Sequence, residues 1–270
     1  LVRSPTLAMQ ARSRARIAAG LRTYRFGLGQ SPFRVPTPIV ESLRAHAAEK
    51  EYLPVEGLLA LREAIAGYLR RRHDIIRSPG QVIVGPGTKE LLFLLQLAWN
   101  GEILVPAPSW VSYAPQAQIA NRPLHWLSTR LEAELRIEPD RLAAQLAALP
   151  SGRRLLIFNY PSNPTGTTYD ENELRALARV FREFKVTVLS DEIYGELHFD
   201  ARHESVARHY EESTIVATGL SKWCGAGGWR LGSLTFPERL GWLREGVAIL
   251  ASETYSSTCA PVQHAAVRAF

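Results

Sequence analysis

Five side chains in the second half of the sequence have the types and spacing needed for chemistry on an amino group. In chain order they are Asn163, Asp191, Tyr194, Lys222 and Arg230. Lys222 is the most informative of them, because the chain has 32 Lys and Arg residues and only four are Lys. An amine that must lose its proton and attack a carbonyl cannot be replaced by a guanidinium, which stays charged. Taken alone, Lys222 would be an ordinary loop lysine; with its companions, we expect it to be a nucleophilic amine.

These residues match the requirements of pyridoxal 5′-phosphate. That cofactor needs a lysine for a Schiff base and a carboxylate that keeps its ring nitrogen protonated, so that the ring accepts electrons. Lys222 supplies the amine, and Asp191 supplies the carboxylate. Asn163 and Tyr194 carry the hydrogen-bond donors expected at the phenolate oxygen. The sequence therefore predicts a pyridoxal-phosphate site.

The phosphate group of such a cofactor binds to backbone N–H groups at a helix start and to an Arg side chain. The candidate phosphate ligands open a helix or lie close to Lys222 in sequence, and they are Gly87, Thr88, Lys89, Ser221 and Arg230. An aromatic side chain is expected on the face of the ring. We assign Trp110 to that position, with Tyr113 as the alternative; the other reading of Trp110 is a core residue.

Seven short apolar runs predict the strands that position these residues. They are Gln81–Gly85, Glu102–Pro106, Pro123–Leu127, Leu155–Tyr160, Val186–Ser190, Thr214–Thr218 and Leu231–Phe236. Helical spacing over Gly57–Arg72, Thr88–Trp99 and Asp170–Phe184 separates several of them. This alternation predicts an α/β fold with a mostly parallel seven-stranded sheet and helices on both faces. Ligands bind at the carboxyl ends of such strands, where Asn163, Asp191 and Lys222 fall.

The order and intervals of these residues resemble the fold-type-I, class I/II aminotransferases that depend on pyridoxal phosphate. The segment Tyr160–Thr167 and the pair Ser221-Lys222 followed by Arg230 carry the resemblance, which extends from Ser4 to Phe270. It implies the fold of the large cofactor-binding domain. It also implies a transferase that moves an amino group between an L-amino acid and a 2-oxo acid, with Lys222, Asp191 and Tyr194 as catalytic residues.

The same resemblance assigns two residues outside this group. Tyr52 is similar to the tyrosine that reaches the phosphate from the neighbouring subunit, which implies a homodimer. Gly29 lies in a loop similar to the one that faces the substrate carboxylate, and Asn163 is expected to contact the substrate as well. Without the family, Tyr52 reads as a buried staple before the helix at residue 57, and Gly29 as a turn.

The resemblance also divides the chain. Residues 1–40 form an N-terminal arm with part of a small domain, and residues 41–270 form the cofactor-binding large domain. Residues 263–270 look helical and no stop signal follows them. We expect the C-terminal part of the small domain, which in relatives supplies an arginine to the substrate carboxylate, to be absent.

The net charge of +6 resides in the arm. Residues 1–40 contain seven Arg and no acid, so the remainder holds 25 basic and 26 acidic residues. Such an arm could bind nucleic acid or direct the chain to an organelle, but the resemblance favours packing on a second subunit. No apolar run reaches the roughly 18 residues of a membrane span. Two cysteines without paired spacing favour a reducing, cytoplasmic setting, and the histidines form no metal motif.

Two alternatives stay open at the level of sequence. A lyase that carries out β-elimination, for example at a C–S bond, would use the same fold and cofactor and differ in substrate-facing residues. A cofactor-binding but catalytically incomplete fragment is the other alternative. The identity of the amino acid donor does not follow from the sequence, because Arg34 is the only charged residue near the predicted substrate loop.

Overall fold

A seven-stranded sheet is the centre of the computed structural model, which describes residues 5–27, 29–199 and 202–270. Ser4, the first residue of the family resemblance, lies outside the described residues. The strands are β1 (Val82–Gly85), β2 (Glu102–Ala107), β3 (Leu124–Ser128), β4 (Arg154–Asn159), β5 (Thr187–Asp191), β6 (Thr214–Gly219) and β7 (Gly232–Thr235). All seven predicted strands are present, with no end shifted by more than one residue.

The strands are arranged in the order β1-β7-β6-β5-β4-β2-β3. β3, β2, β4, β5 and β6 pair in parallel, while β7 pairs antiparallel with both β6 and β1. The prediction of a mostly parallel sheet is confirmed. Parallel neighbours end at the same edge of a sheet, so β4, β5 and β6 deliver the residues that follow them to one place.

The described residues form nine α-helices. They are α1 (Pro5–Ala18), α2 (Thr37–Ala45), α3 (Leu59–His73), α4 (Thr88–Ala98), α5 (Tyr113–Ile119), α6 (Pro139–Ala147), α7 (Glu171–Glu183), α8 (Gly241–Thr254) and α9 (Ala260–Val267). The predicted boundary at residue 40 falls within α2, and the predicted C-terminal helix ends at Val267. None of the helices in the described ranges is long and apolar enough to cross a bilayer.

Successive residues of the central strands pack into different layers, as the period of two in a strand requires. In β4, Leu155 and Ile157 pack with α4, α5 and α8, whereas Leu156 and Phe158 pack with α6 and α7. A third cluster joins α2, α3 and α9 to β1 and β6. Both faces of the sheet are therefore covered, which explains why the strands are continuously apolar.

Candidate active site

Three of the predicted site residues meet at the carboxyl edge of the parallel strands. Asn163 follows β4, Asp191 is the last residue of β5, and Lys222 lies three residues after β6. The side chains converge: the Lys222 ammonium lies 5.5 Å from the centroid of the Tyr194 ring. Asn163 Nδ2 donates to the Tyr194 hydroxyl over 3.4 Å.

The Lys222 amine lies in an environment that favours its neutral form. Burial lowers the pKa of Lys222; the Asp191 carboxylate opposes this shift and the Arg230 guanidinium adds to it. Nζ donates a hydrogen bond of 2.7 Å to the carbonyl oxygen of Gly29. Gly29, predicted on the substrate side, therefore borders the amine directly, next to residue 28, which is not described.

Asp191 is a buried carboxylate, only 3% exposed. Burial raises the pKa of Asp191 to about 6, against the stabilising effect of two hydrogen bonds to its oxygens. The Tyr113 hydroxyl donates to Oδ2 over 2.7 Å, and the Ile193 N–H donates to Oδ1 over 3.3 Å. Tyr113 is therefore engaged with the carboxylate, so the structure leaves Trp110 as the candidate for the ring face.

Asn159 links the ends of two strands, and the sequence analysis missed it. Its Nδ2 donates to the Asp191 carbonyl over 2.8 Å, and its Oδ1 accepts from the Asn163 N–H over 2.8 Å. Asn159 thus fixes the turn that carries Asn163 relative to Asp191. The available signal was a polar residue at the end of an otherwise apolar, buried strand.

A second set of buried polar groups holds the chain just beyond Asp191. The Glu192 carboxylate accepts from the hydroxyls of Ser190 and Ser205 over 2.7 and 2.6 Å and lies 2.9 Å from His203 Nε2. Burial raises the pKa of Glu192, but His203 and the hydrogen bonds outweigh burial and lower it overall. Breaking such a buried pair costs about 3–5 kcal/mol, so this network makes the segment after β5 rigid.

The start of α4 forms a cationic cradle with Arg230. Arg230 Nη2 donates to the Pro86 carbonyl over 3.3 Å, and Nη1 donates to the Gly227 carbonyl over 2.7 Å. Gly87 has φ 90°, and a Cβ there would lie 2.1 Å from Arg230 Nη2. Only glycine allows this approach, because it lacks the colliding atom and tolerates positive φ.

The cradle is not neutralised by the protein. Among the described residues, no carboxylate forms an ion pair with Lys89 or Arg230. Burial and the Arg230 charge lower the pKa of Lys89. Unpaired cations beside a helix N-terminus form an anion-binding site.

The remaining predicted residues differ in how closely they join this group. Trp110 is half-buried, packs edge-to-face on Tyr113 at 5.3 Å and lies 4.8 Å from Lys89 Nζ, measured to the ring centroid. Thr88 is the first residue of α4, and Ser221 is a half-buried neighbour of Lys222. Tyr52 is 90% exposed, which does not fit a buried staple. Within the described ranges, no cluster of three potential metal ligands is present.

Comparisons with known proteins identify the family. The sequence profile of the family described as "Aminotransferase class I and II" matches residues 24–270. The aspartate aminotransferase of Bacillus subtilis is 31% identical over all of this chain and 70% of its own length. The asparagine–oxo-acid transaminase of Streptococcus mutans is 30% identical over 98% of this chain and 69% of its own length.

Solved structures agree with the sequence relatives. The aspartate aminotransferase of Thermus thermophilus with maleate has a TM-score of 0.92 at 29% identity and covers the whole chain, which in turn covers 70% of that structure. The aromatic aminotransferase of Pyrococcus horikoshii has a TM-score of 0.82 at 32% identity, over 90% of this chain and 66% of that structure. With this fold and this site, the chain belongs to the pyridoxal-phosphate-dependent class I and II aminotransferases.

Proposed function

We propose that Lys222, Asp191 and Tyr194 are the catalytic residues of this aminotransferase, which moves an amino group between an L-amino acid and a 2-oxo acid. The observation that carries the proposal is their convergence. An amine with a lowered pKa, a buried carboxylate and an uncompensated cationic cradle meet at one edge of the sheet. No observation favours β-elimination over transamination.

The donor and acceptor groups at this edge fit pyridoxal 5′-phosphate. A carboxylate offers about four lone-pair sites, and Asp191 uses two of them on Tyr113 and Ile193. It can therefore accept a further hydrogen bond from a protonated ring nitrogen. When bound, pyridoxal phosphate supplies an aldehyde that condenses with amines and a ring that accepts electrons from the substrate α-carbon.

Lys222 acts as the general base and then the general acid. To react, its amine must leave the Gly29 carbonyl, which now accepts its hydrogen bond. The lowered pKa increases the fraction of neutral amine. The neutral amine would take a proton from the substrate α-carbon and, as the resulting ammonium, return it to the carbon of the cofactor's aldehyde group. Arg in place of Lys would stay charged and could do neither.

Tyr194 and Asn163 serve as hydrogen-bond donors beside the amine. Burial and the Asp191 charge raise the pKa of Tyr194, with the Asn163 hydrogen bond opposing them. The hydroxyl therefore stays protonated and can donate to an oxyanion on the cofactor. Asn163 donates next to it and contacts the substrate.

The phosphate ligands are the residues of the cradle, Gly87, Thr88, Lys89 and Arg230, together with Ser221, the neighbour of Lys222. Gly87 admits the Arg230 side chain, and the start of α4 directs backbone N–H groups toward the same place. Trp110 covers one face of the ring. Gly29, whose carbonyl accepts the Lys222 hydrogen bond, contacts the substrate.

Aspartate is the first donor to test, because the relatives from Bacillus subtilis and Thermus thermophilus carry its name. The homodimer, with Tyr52 reaching the neighbouring phosphate, remains a proposal supported by the 90% exposure of that side chain. The division into an arm of residues 1–40 and a large domain of residues 41–270 also remains a proposal, as does a cytoplasmic location.

Replacing Lys222 tests the assignment directly. We expect Lys222→Ala and Lys222→Arg to lose the visible absorption band of the lysine-bound cofactor and roughly 10³-fold or more of the turnover rate. The Arg variant controls for charge. A visible band in Lys222→Ala that borohydride removes would show that another amine holds the cofactor.

The reaction class is tested with the unaltered protein loaded with pyridoxal phosphate. L-aspartate and 2-oxoglutarate are supplied together, and products are separated by chromatography. We expect glutamate and oxaloacetate in equal amounts. Release of ammonia without a new amino acid, or from a sulfur amino acid donor alone, would contradict transamination and favour the lyase.

A further inference from the structure

A second group of cations surrounds a cavity at the opposite edge of the sheet. The cavity has a volume of about 220 Å³ and lies where the parallel strands begin. Arg154 and Thr187, the first residues of β4 and β5, line it, together with Ser213 just before β6. The candidate active site follows the carboxyl ends of these strands, so the length of the strands separates the two sites.

The lining carries a large excess of positive charge. Its charged residues are Arg153, Arg154, Arg182, Lys185, Arg239 and Glu212. Glu212 is already paired with Arg182 at 2.7 Å. In the described part of the chain, no carboxylate forms an ion pair with Arg153, Lys185 or Arg239. Three unpaired cations around one concavity repel one another unless an anion lies between them.

Arg154 is a buried cation of this lining. It is only 6% exposed, and its Nε has no hydrogen-bond partner. Its Nη2 donates to the Leu149 and Pro150 carbonyls, and the nearest carboxylate oxygen, on Glu102, lies 3.8 Å from Nε. Nε and Glu102 Oε2, which likewise has no hydrogen-bond partner, form a loose ion pair, so Arg154 adds a buried positive charge to the cavity wall.

The N-terminus of α8 adds a second, independent feature. Leu240, its N-cap, and Trp242, in its first turn, line the cavity. No side chain caps the helix and no acidic residue lies in its first turn. Arg239 lies beside this positive end of the helix dipole, where a cation is unfavourable. Arg182, by contrast, lies in the last turn of α7, where the helix dipole favours a cation.

Aromatic side chains hold two of the guanidinium groups in place. Arg153 lies over the Trp242 ring at 5.3 Å, and Arg182 lies over the Tyr210 ring at 5.2 Å. Trp242 in turn stacks on the buried Trp99 ring at 6.1 Å. Cations fixed in this way lose less conformational entropy when they bind a ligand.

We propose that this cavity binds a small multivalent oxyanion, of the phosphate-ester or polycarboxylate class. Its volume suits a metabolite. An extended polyanion such as RNA fits poorly, because Glu211, Glu212 and Glu238 border the adjoining depression on the Arg239 side. The ligand would accept hydrogen bonds from the guanidinium groups and from the N-terminus of α8.

The test uses the pyridoxal-phosphate-loaded protein, in which the catalytic phosphate site is already filled. Pyrophosphate is titrated by calorimetry at low salt, and the melting temperature is measured with and without it. The cavity variant is the double change Lys185→Gln and Arg239→Gln. Its matched control is Lys50→Gln and Arg179→Gln, which removes one exposed Lys and one exposed Arg elsewhere.

We expect pyrophosphate to bind and to raise the melting temperature, and the cavity variant to weaken binding at least about tenfold while the control does not. Competition with citrate separates the two ligand classes. If citrate displaces pyrophosphate, the cavity also binds polycarboxylates; if it does not, the cavity is a phosphate site. Absence of binding, or an equal loss in both double variants, would overturn the proposal. So would a short RNA that binds through these residues while pyrophosphate does not.

Discussion

At the scale of single residues, the site depends on how far Asp191 is shifted from an ordinary carboxylate. Burial raises its pKa, while the Tyr113 hydroxyl and the Ile193 N–H lower it. The result is a carboxylate that ionises at a pH of about 6. A positively charged partner would stabilise its ionised form. Tyr113 is a positioning residue in this arrangement, because it acts through Asp191.

Tyr113→Phe tests that role. The change removes the donor to Oδ2, so the pKa of Asp191 should rise further. A hydrogen bond to a charged group contributes roughly 1.5–3 kcal/mol, and one pKa unit corresponds to about 1.4 kcal/mol. Because the cofactor-free protein must ionise Asp191 to accept the protonated ring nitrogen, we expect the acid limb of the pH profile of pyridoxal phosphate binding to move toward higher pH by about one unit. Tyr194→Phe is the control, since that hydroxyl does not contact Asp191; an unmoved limb in Tyr113→Phe would rule the coupling out.

The pH dependence of folding gives a second prediction for Asp191. Its pKa is raised from 3.8 to about 6, so in the cofactor-free protein the folded state holds the proton more tightly than the unfolded state. This contribution to stability is complete below pH 4 and is lost as the pH rises through 6. We compare the free energy of unfolding of Asp191→Asn with that of the unaltered chain. We expect this difference to be about 3 kcal/mol more favourable to the variant at pH 7 than at pH 4.

Denaturant unfolding of both proteins from pH 4 to 7 measures this difference, in which the contributions of other titrating groups cancel. A difference that stays constant over the range would show that Asp191 ionises at its ordinary pKa. Binding of pyridoxal phosphate should abolish the effect, because a protonated ring nitrogen stabilises the carboxylate.

Sequence reasoning reached some of these residues and missed others for a physical reason. Lys222, Asp191 and Asn163 follow apolar strands, and the topology of a parallel sheet brings strand ends together. The choice between Trp110 and Tyr113 was not available in the sequence, because both side chains are aromatic and only the turn before α5 decides which one points at Asp191. Asn159 was missed because its role is a bond between neighbouring strand ends.

At the scale of elements, continuous apolar runs located the strands well, because both faces of the sheet are buried. The direction of β7 does not follow from such a pattern, since a fully buried strand looks alike in both orientations. Its antiparallel pairing allows the chain to pass from Lys222 through Arg230 back into the sheet within a few residues. That short return is what holds Arg230 against the start of α4.

Gly87→Ala tests the fit between these two elements. The added Cβ would lie 2.1 Å from Arg230 Nη2, so the guanidinium must move out of the cradle. We expect the dissociation constant of pyridoxal phosphate, followed by absorbance, to rise at least about tenfold, since a charge-assisted phosphate contact is lost. Turnover at saturating cofactor should fall less.

Gly20→Ala is the matched control for backbone strain. Gly20 also has positive φ, at 73°, but a Cβ there meets nothing within 4 Å. It should carry only the cost of the left-handed conformation, about 1–2 kcal/mol in stability, without weaker cofactor binding. Equal cofactor affinities in the two variants would mean that the cradle does not bind the phosphate.

At the scale of the whole molecule, the sheet separates two positively charged sites. The site at the carboxyl edge combines cations with a buried carboxylate and an amine, as group transfer requires. The cavity at the amino edge has cations and aromatic rings, with its one carboxylate already paired. The two proposals give each edge an anion-binding role, and among the described residues the amine and the buried carboxylate lie at the carboxyl edge.

Whether the catalytic unit is one chain or two can be decided with Tyr52, whose side chain is 90% exposed in the single chain. If Tyr52 reaches the phosphate of a neighbouring subunit, each site contains Lys222 from one chain and Tyr52 from the other. Tyr52→Phe should then weaken cofactor binding about tenfold, and Lys222→Ala should be inactive. Unfolding and refolding the two variants together produces hybrids with one complete site.

The assay uses a cofactor concentration that saturates the unaltered protein but not Tyr52→Phe. Under this condition we expect the activity of the mixture to exceed the summed activities of the separate variants. The rise should follow the fraction of hybrid dimers, measured by native mass spectrometry. A tyrosine acting within its own chain gives no rise, because every site would then lack either the amine or the hydroxyl. Hybrid formation without a rise would thus exclude the shared site while leaving Lys222 as the catalytic amine.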